Sequence, residues 1–168
     1  QVSGEVFHLI SAGEGTAYGS SLFTLNMSGA PTDKLQFRIH KALNNLDFRG
    51  AELTSRRQVK ELDKDFNLWE ITFKQKRSGL LNILATYETP LQETNTVPAG
   101  AVCCVEAENT PLFIAVSGLP GRFVEPLKNS ESLAQIDDAE LPDDYRAMIT
   151  NQLLAAYRGI GQDAWRNI

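Results

Sequence analysis

Apolar and polar side chains alternate along much of the chain, and a period of two is the mark of strands half-buried on one face. Residues 6–10 form a short apolar run. Residues 18–27 place Phe23, Leu25 and Met27 on one face. Leu35, Phe37 and Ile39 then alternate with Gln36, Arg38 and His40. Leu46 and Phe48, with Ala51 and Leu53, continue the pattern around Gly50, where a glycine inside a strand predicts a bulge or bend. The strongest signal covers residues 69–91. Trp69, Ile71 and Phe73 alternate with Glu70, Thr72 and Lys74, and Leu81, Ile83, Ala85 and Tyr87 alternate again after a charged stretch ending in Gly79. That glycine can take a positive φ, so residues 69–91 are expected to form a hairpin reversing at 75–79. Leu80 and Leu84 add apolar weight to the second face, as in a central strand covered on both sides. Residues 101–106 and 112–116 supply two further strands.

Turn signals stand between these segments: Ser28-Gly29-Ala30-Pro31, Asn44-Asn45, Leu62-Asp63-Lys64-Asp65, residues 92–96, Asn109-Thr110-Pro111 and Gly118-Leu119-Pro120-Gly121. Roughly eight or nine short strands with turns about every 8 to 14 residues predict a mainly β protein, most often a sandwich, with an open barrel as the next candidate. The tail differs. Residues 128–144 are polar and acidic, and Leu141-Pro142-Asp143-Asp144 resembles a helix entry with carboxylates where the N-terminal dipole favours them. Tyr145, Met148, Ile149, Gln152, Leu153, Ala156 and Tyr157 then share a helical face, which predicts a helix over 143–158 stopped by Gly159 and Gly161. A rival reading makes 153–158 one more strand. The expected architecture is an Ig-like β-sandwich over 1–127, with an acidic loop and C-terminal helix over 128–168 packed on or beside it. Its core is expected to hold Trp69, Ile71, Phe73, Ile83, Tyr87, Phe23, Phe37, Ile39 and Phe113.

Composition changes this picture little. A chain of 168 residues, 42% apolar and 22% charged, supports one domain with a real core. The net charge of −5 argues against a nucleic-acid partner. Its basic clusters, Arg56-Arg57 and residues 74–77, read as solvated loops. No apolar run approaches the roughly 20 residues of a membrane-spanning helix. The chain begins at Gln1 rather than Met, so it is expected to be an excised or processed fragment whose anchor lies outside it.

Candidate chemistry is sparse. Cys103 and Cys104 are adjacent, point to opposite faces of a strand, and read as small buried hydrophobes. His8 and His40 sit in strands without a visible orienter or nucleophile. Glu106 and Glu108 would share a strand face and could split their pKa values as an acid/base pair or share a cation; a solvated strand end is the simpler reading. Asp63-Lys64-Asp65 opens like a calcium loop but lacks the glycine and glutamate that must follow. Residues 11–15 hold two glycines without the Lys and helix of a phosphate cradle. Asn26-Met27-Ser28 fits a glycosylation acceptor. No catalytic, cofactor-binding or metal-binding residue is singled out.

Two stretches resemble known families. Glu108-Asn109-Thr110-Pro111-Leu112-Phe113 with Gly118-Leu119-Pro120-Gly121 is similar to a segment of inosine triphosphate pyrophosphatases, although Asn109 stands at the acidic position and the Asn-Lys nucleotide-binding start is missing. Trp69, Gly79, residues 87–91, residues 98–105 and Glu140-Leu141-Pro142 together resemble β-sandwich modules of large bacterial envelope proteins. That resemblance implies a non-catalytic structural or protein-interaction module, outside the cytoplasm, with a protein partner. Alternatives are a small hydrolase or nucleotide-processing enzyme using Glu106 and Glu108, and a carbohydrate- or ligand-binding sandwich using loops near Tyr18 and residues 94–99.

Overall fold

The computed structural model describes residues 1–50, 52–91, 97–98, 100–107, 110–119 and 133–160. Among the described residues nine strands make one sheet: β1 (Val2–Ala12), β2 (Thr16–His40), β3 (Asn44–Arg49), β4 (Leu53–Glu61), β5 (Phe66–Pro90), β6 (Val102–Cys104), β7 (Pro111–Gly118), β8 (Leu133–Ile136) and β9 (Gln152–Ile160). The chain is mainly β. The helix α1 (Asp143–Arg146) has four residues.

The frame is the antiparallel pair β2 and β5, each of 25 residues. The first half of β2 pairs with the second half of β5, from Thr16 opposite Pro90 to Met27 opposite Gly79. The second half of β2 pairs with the first half of β5, from Lys34 opposite Thr72 to His40 opposite Phe66. Around the first pairing lie β3, β1, β7, β9 and β8; around the second lie β4 and β6. Phe23 and Phe37 are fourteen residues apart on β2, about 46 Å along a straight strand at roughly 3.3 Å per residue. Their ring centroids lie 5.2 Å apart. The sheet is therefore folded over on itself at the middle of β2 and β5, and its two halves face each other across the main core.

This fold-over corrects the expected hairpin. Residues 69–73 and 81–87 both pair with β2, not with each other. The turn signals at 28–31 and 75–79 fall together where the register of β2 and β5 shifts, between Met27 and Lys34. Polar residues with Gly29 (φ 93°) and Gly79 (φ 80°) let two strands bend together instead of reversing. The flanking chain takes the inside of the bend. β3 ends with Arg49 opposite Leu84 and β4 begins with Leu53 opposite Phe73, while β5 runs on through residues 74–83 between those two partners.

Alternation then sorts the inner face. Val6, His8 and Ile10 of β1 stand opposite Phe23, Ser21 and Gly19 of β2, and those stand opposite Ile83, Ala85 and Tyr87 of β5. From the second half come Leu35, Phe37, Ile39, Ile71 and Phe73, all buried. Two expected core residues differ. Trp69 packs against this cluster while only partly buried, and Phe113 lies on the outer face. Gly19 is required: a Cβ there would lie 2.0 Å from the Tyr87 ring. Gly19→Ala should therefore destabilise by about 1–3 kcal/mol through overpacking, and adding Tyr87→Leu should recover part of the loss. Urea melts of the two single variants and the double variant check this; an additive result would mean the contact is not the cause.

The outer face of β1, β7 and β9 is covered by the segment that the sequence assigns to a long helix. Helix α1 stops after Arg146, and β9 follows, pairing with β7 and β8. The strand reading of 153–158 is the one observed. Ala155, Ala156 and Tyr157 are all buried, so the strand is apolar on both faces and lacks the alternation that would reveal it. Tyr145 stacks on Phe7 at 4.4 Å and 9°, tilts against Phe113 at 5.7 Å, and donates its hydroxyl hydrogen bond to Glu5. Leu141 and Tyr145 anchor the segment, while Asp137, Asp138, Glu140, Asp143 and Asp144 stay exposed. Among the described residues no helix is long and apolar enough to cross a membrane.

Candidate interaction surface

Most residues with candidate chemistry turn out to serve the frame. His8 is fully buried between the layers, with Nδ1 2.7 Å from Ser21 Oγ and the Phe23 ring edge-on at 6.3 Å. Burial holds its imidazole down at about 4, so it is neutral at pH 7. The Tyr87 hydroxyl approaches Ser21 without a well-formed hydrogen bond, and burial pushes it up to about 12. This Ser–His pair has the chemistry of a dyad, but Ser21 is wholly enclosed, so no substrate reaches it. A cavity beside it, bordered by Glu5, His8, Cys103, Cys104 and Thr110, leaves about 20 Å³ open to the centre of a water molecule, enough for one water.

His40 lies far along β2. Its Nδ1 accepts from the Ala42 amide at 3.0 Å and its ring meets Phe66 edge-on at 5.1 Å. Burial lowers its pKa against the opposing pull of Asp65 and Asp63. The two histidines sit in different halves of the sheet and form no common site.

Glu106 accepts the Gln36 amide on both carboxylate oxygens at 3.1 Å. β6 reaches Cys104 opposite Phe37, and the carboxylate takes the place of the next strand residue. Glu108 lies outside the described residues. Cys104 is buried and Cys103 half-buried, and neither forms a disulfide among the described residues. Burial first, then the charges of Glu106 and Cys103, pushes the Cys104 thiol far up, which leaves it a poor nucleophile. Asp63 closes the predicted turn at 62–65, accepting the Asp65 and Phe66 amides at 2.8 Å each. Those bonds and nearby Lys41 and Arg38 hold its carboxyl below the usual range. Among the described residues no group of three metal-ligating side chains converges.

The surface is more informative. Eleven of the sixteen Lys and Arg residues, but six of the twenty-one Asp and Glu, fall between residues 34 and 77. The second half of the sheet is thus basic and the remainder strongly acidic. On β4 this charge is partly answered within the chain: Arg56 meets Asp47 at 3.1 Å, and Arg57 meets Glu70 at 3.2 Å. Two register shifts and an almost fully exposed, charged face also blunt β4 as an edge.

The bend of β5 is different. Lys74, Gln75, Lys76 and Ser78 are exposed, and Leu80 is 82% exposed, the largest value for a large apolar side chain among the described residues. The sequence places Leu80 on a covered strand face. The available signal was its neighbourhood, since five polar residues and a glycine precede it. Tyr18, proposed for a ligand-binding loop, is 54% exposed on the outer face of β2; residues 94–96 and 99 of its expected partner loop lie outside the described residues.

No protein-family model matches the chain, and no curated protein does. Solved structures do. Yeast LTA4 hydrolase in complex with Bestatin aligns over 95% of this chain and 26% of its own, with a TM-score of 0.53 and 12% identity. Native leukotriene A4 hydrolase from Saccharomyces cerevisiae aligns over 95% and 27%, with a TM-score of 0.51 and 10% identity. The likeness is one of fold. The chain spans about a quarter of the length of these two solved chains.

Proposed function

We propose that this chain is a non-catalytic structural or protein-interaction module that works as one part of a larger protein. The observation that carries this reading is the proportion of the structural match. Nearly all of the folded sheet corresponds to about a quarter of a much longer enzyme, so this architecture occurs as one portion of a longer chain. The buried His8–Ser21 pair and the Glu106 carboxylate, tied to the Gln36 amide, support the same reading, because each is spent on the frame. The uncovered, basic bend of β5 gives such a module a surface to present.

The finer reading is an Ig-like sandwich in a bacterial envelope protein, which rests on the pattern from Trp69 to Pro142. Cell fractionation tests the compartment, and recovery with the cytoplasmic proteins would discard the envelope part. Cross-linking the native full-length protein in cells, followed by mass spectrometry, tests the module itself. Lys74 and Lys76 are expected to cross-link to a companion domain or a second protein. Cross-links confined to the chain, together with substrate turnover by the isolated chain that Glu106→Gln abolishes, would overturn the reading.

A further inference from the structure

We propose that the outer face of the sheet around Tyr18 is a binding platform for a neutral oligosaccharide. This goes beyond the interaction-module reading and makes no use of the bend of β5. The pairing register sets five side chains in one row across the strands. Asn44 of β3 stands opposite Glu88 of β5, Glu88 opposite Tyr18 of β2, Tyr18 opposite Ser11 of β1, and Ser11 opposite Ser117 of β7. Residues directly opposite share a face, and this face is the outer one, because Ala17, Gly19, Tyr87 and Thr89 beside them turn inward and are buried. From Asn44 to Ser11 the row runs about 14 Å, at roughly 4.8 Å per strand. The segment covering the outer face of β1, β7 and β9 ends against the row, where Asn151 donates from Nδ2 to Ser11 Oγ at 3.1 Å. That segment forms a step at one end of the platform and leaves Tyr18 open beside it.

The side chains choose the occupant. Tyr18 is 54% exposed at the centre of the row, and its ring leans toward the turn between β1 and β2, where a Cβ on Gly13 would meet Cε2 at 3.5 Å. An exposed aromatic ring offers a flat apolar area with a polar tip, which suits the C–H face of a pyranose. Hydrogen-bonding capacity remains on both sides of the ring. Ser11 Oγ accepts from Ser117 at 3.3 Å and from Asn151, and it keeps its own hydrogen to give. Glu88 accepts the Asn45 Nδ2 hydrogen on one oxygen at 2.8 Å and keeps the other. A sugar ring displays the matching pattern, hydroxyls that both donate and accept around an apolar face. Charge excludes the anionic rivals. The row holds no Lys or Arg, and its one ionised group is the Glu88 carboxylate, so a phosphate or an acidic glycan would meet a like charge and no cation.

The test titrates the 168-residue chain separately with cellohexaose, maltohexaose and chitohexaose, followed through backbone amide shifts. Sorbitol at equal hydroxyl concentration is the control, since it has the hydroxyls without the ring face. The expected result is saturable shifts with at least one hexasaccharide, concentrated at Ser11, Tyr18, Glu88 and Asn151, and none with sorbitol. Tyr18→Ala should weaken that binding about tenfold, while Tyr18→Phe, which keeps the ring, should stay within about threefold of the wild type. Thermal melts show whether each variant folds. Asn151→Ala, at the exposed end of the row, should weaken binding about threefold and carries the test if Tyr18→Ala does not fold. Absence of saturable shifts with all three hexasaccharides, shifts centred elsewhere, an equal response to sorbitol, or a folded Tyr18→Ala that binds as the wild type does would each overturn the platform. The cross-linking of Lys74 and Lys76 is a separate measurement, so the module reading and the platform stand or fall independently.

Discussion

Phe37→Ala is expected to lower the free energy of unfolding by about 3–5 kcal/mol, the range for emptying a large aromatic site in a core. Phe37 is 0% exposed and touches both layers of the folded sheet: its ring lies 5.2 Å from Phe23 and 5.3 Å from Phe48, which belong to the opposite half. Its removal therefore opens the seam that keeps the sheet folded. Typical domains have only about 5–15 kcal/mol in hand, so the variant should unfold at much lower urea. Trp69→Ala, at a partly buried position of β5 opposite Phe37 of β2, should cost clearly less. Urea melts of both variants check the ranking. A loss below about 1 kcal/mol at Phe37 would mean that the layers are held elsewhere.

The second large effect is on acid stability. His8 titrates near its ordinary 6.5 in the unfolded chain but only at about 4 when buried beside Ser21. Between those values the unfolded chain binds the extra proton, so stability falls as pH drops. The contribution is fully present above pH 6.5 and lost progressively as pH falls toward 4. At 1.36 kcal/mol per pH unit, that interval is worth about 3 kcal/mol. His40, also lowered, acts with the same sign. The measurement is therefore a difference: urea stability of the wild type and of His8→Gln at pH 7.5, 6 and 5. The wild type should lose more on acidification, and the variant's curve should be flatter by about 2 kcal/mol at pH 5. Parallel curves would show that His8 does not carry the acid sensitivity.

Much of the sheet can be read in the sequence because burial leaves a period-two trace. Phe23, Leu25 and Met27, Leu35, Phe37 and Ile39, and Ile83, Ala85 and Tyr87 all fall on the inner face that their spacing predicts. The route between the strands is less legible. Glycine and proline report a local need for unusual backbone angles, and a concerted bend of two long strands creates the same need as a reversal. The tail is misleading for another reason. Tyr145, Met148 and Ile149 follow helical spacing because a short turn of chain presses them on the outer face, and β9 then continues the apolar run without alternating. His8 can be placed on an inner face by its neighbours Val6 and Ile10. Its partner Ser21 follows only from the pairing register, which one strand's pattern does not contain. Leu80 looks buried by composition, but it alternates with the buried Leu81 and stands on the exposed outer face of β5.

The place of β1 has a consequence for how the protein is made. β1 lies between β2 and β7, antiparallel to the first and parallel to the second, with Val6 opposite Leu112 and Ala12 opposite Gly118. At synthesis rates of about 5–20 residues per second, β1 leaves the ribosome roughly 5–20 s before its parallel partner exists. During that interval the hydrophobic edge around Phe7 and Ile10 has a neighbour on one side only. The nascent chain therefore spends its youth as a half-finished sheet, and a cell making it in quantity has reason to keep a chaperone at hand until residue 118 emerges.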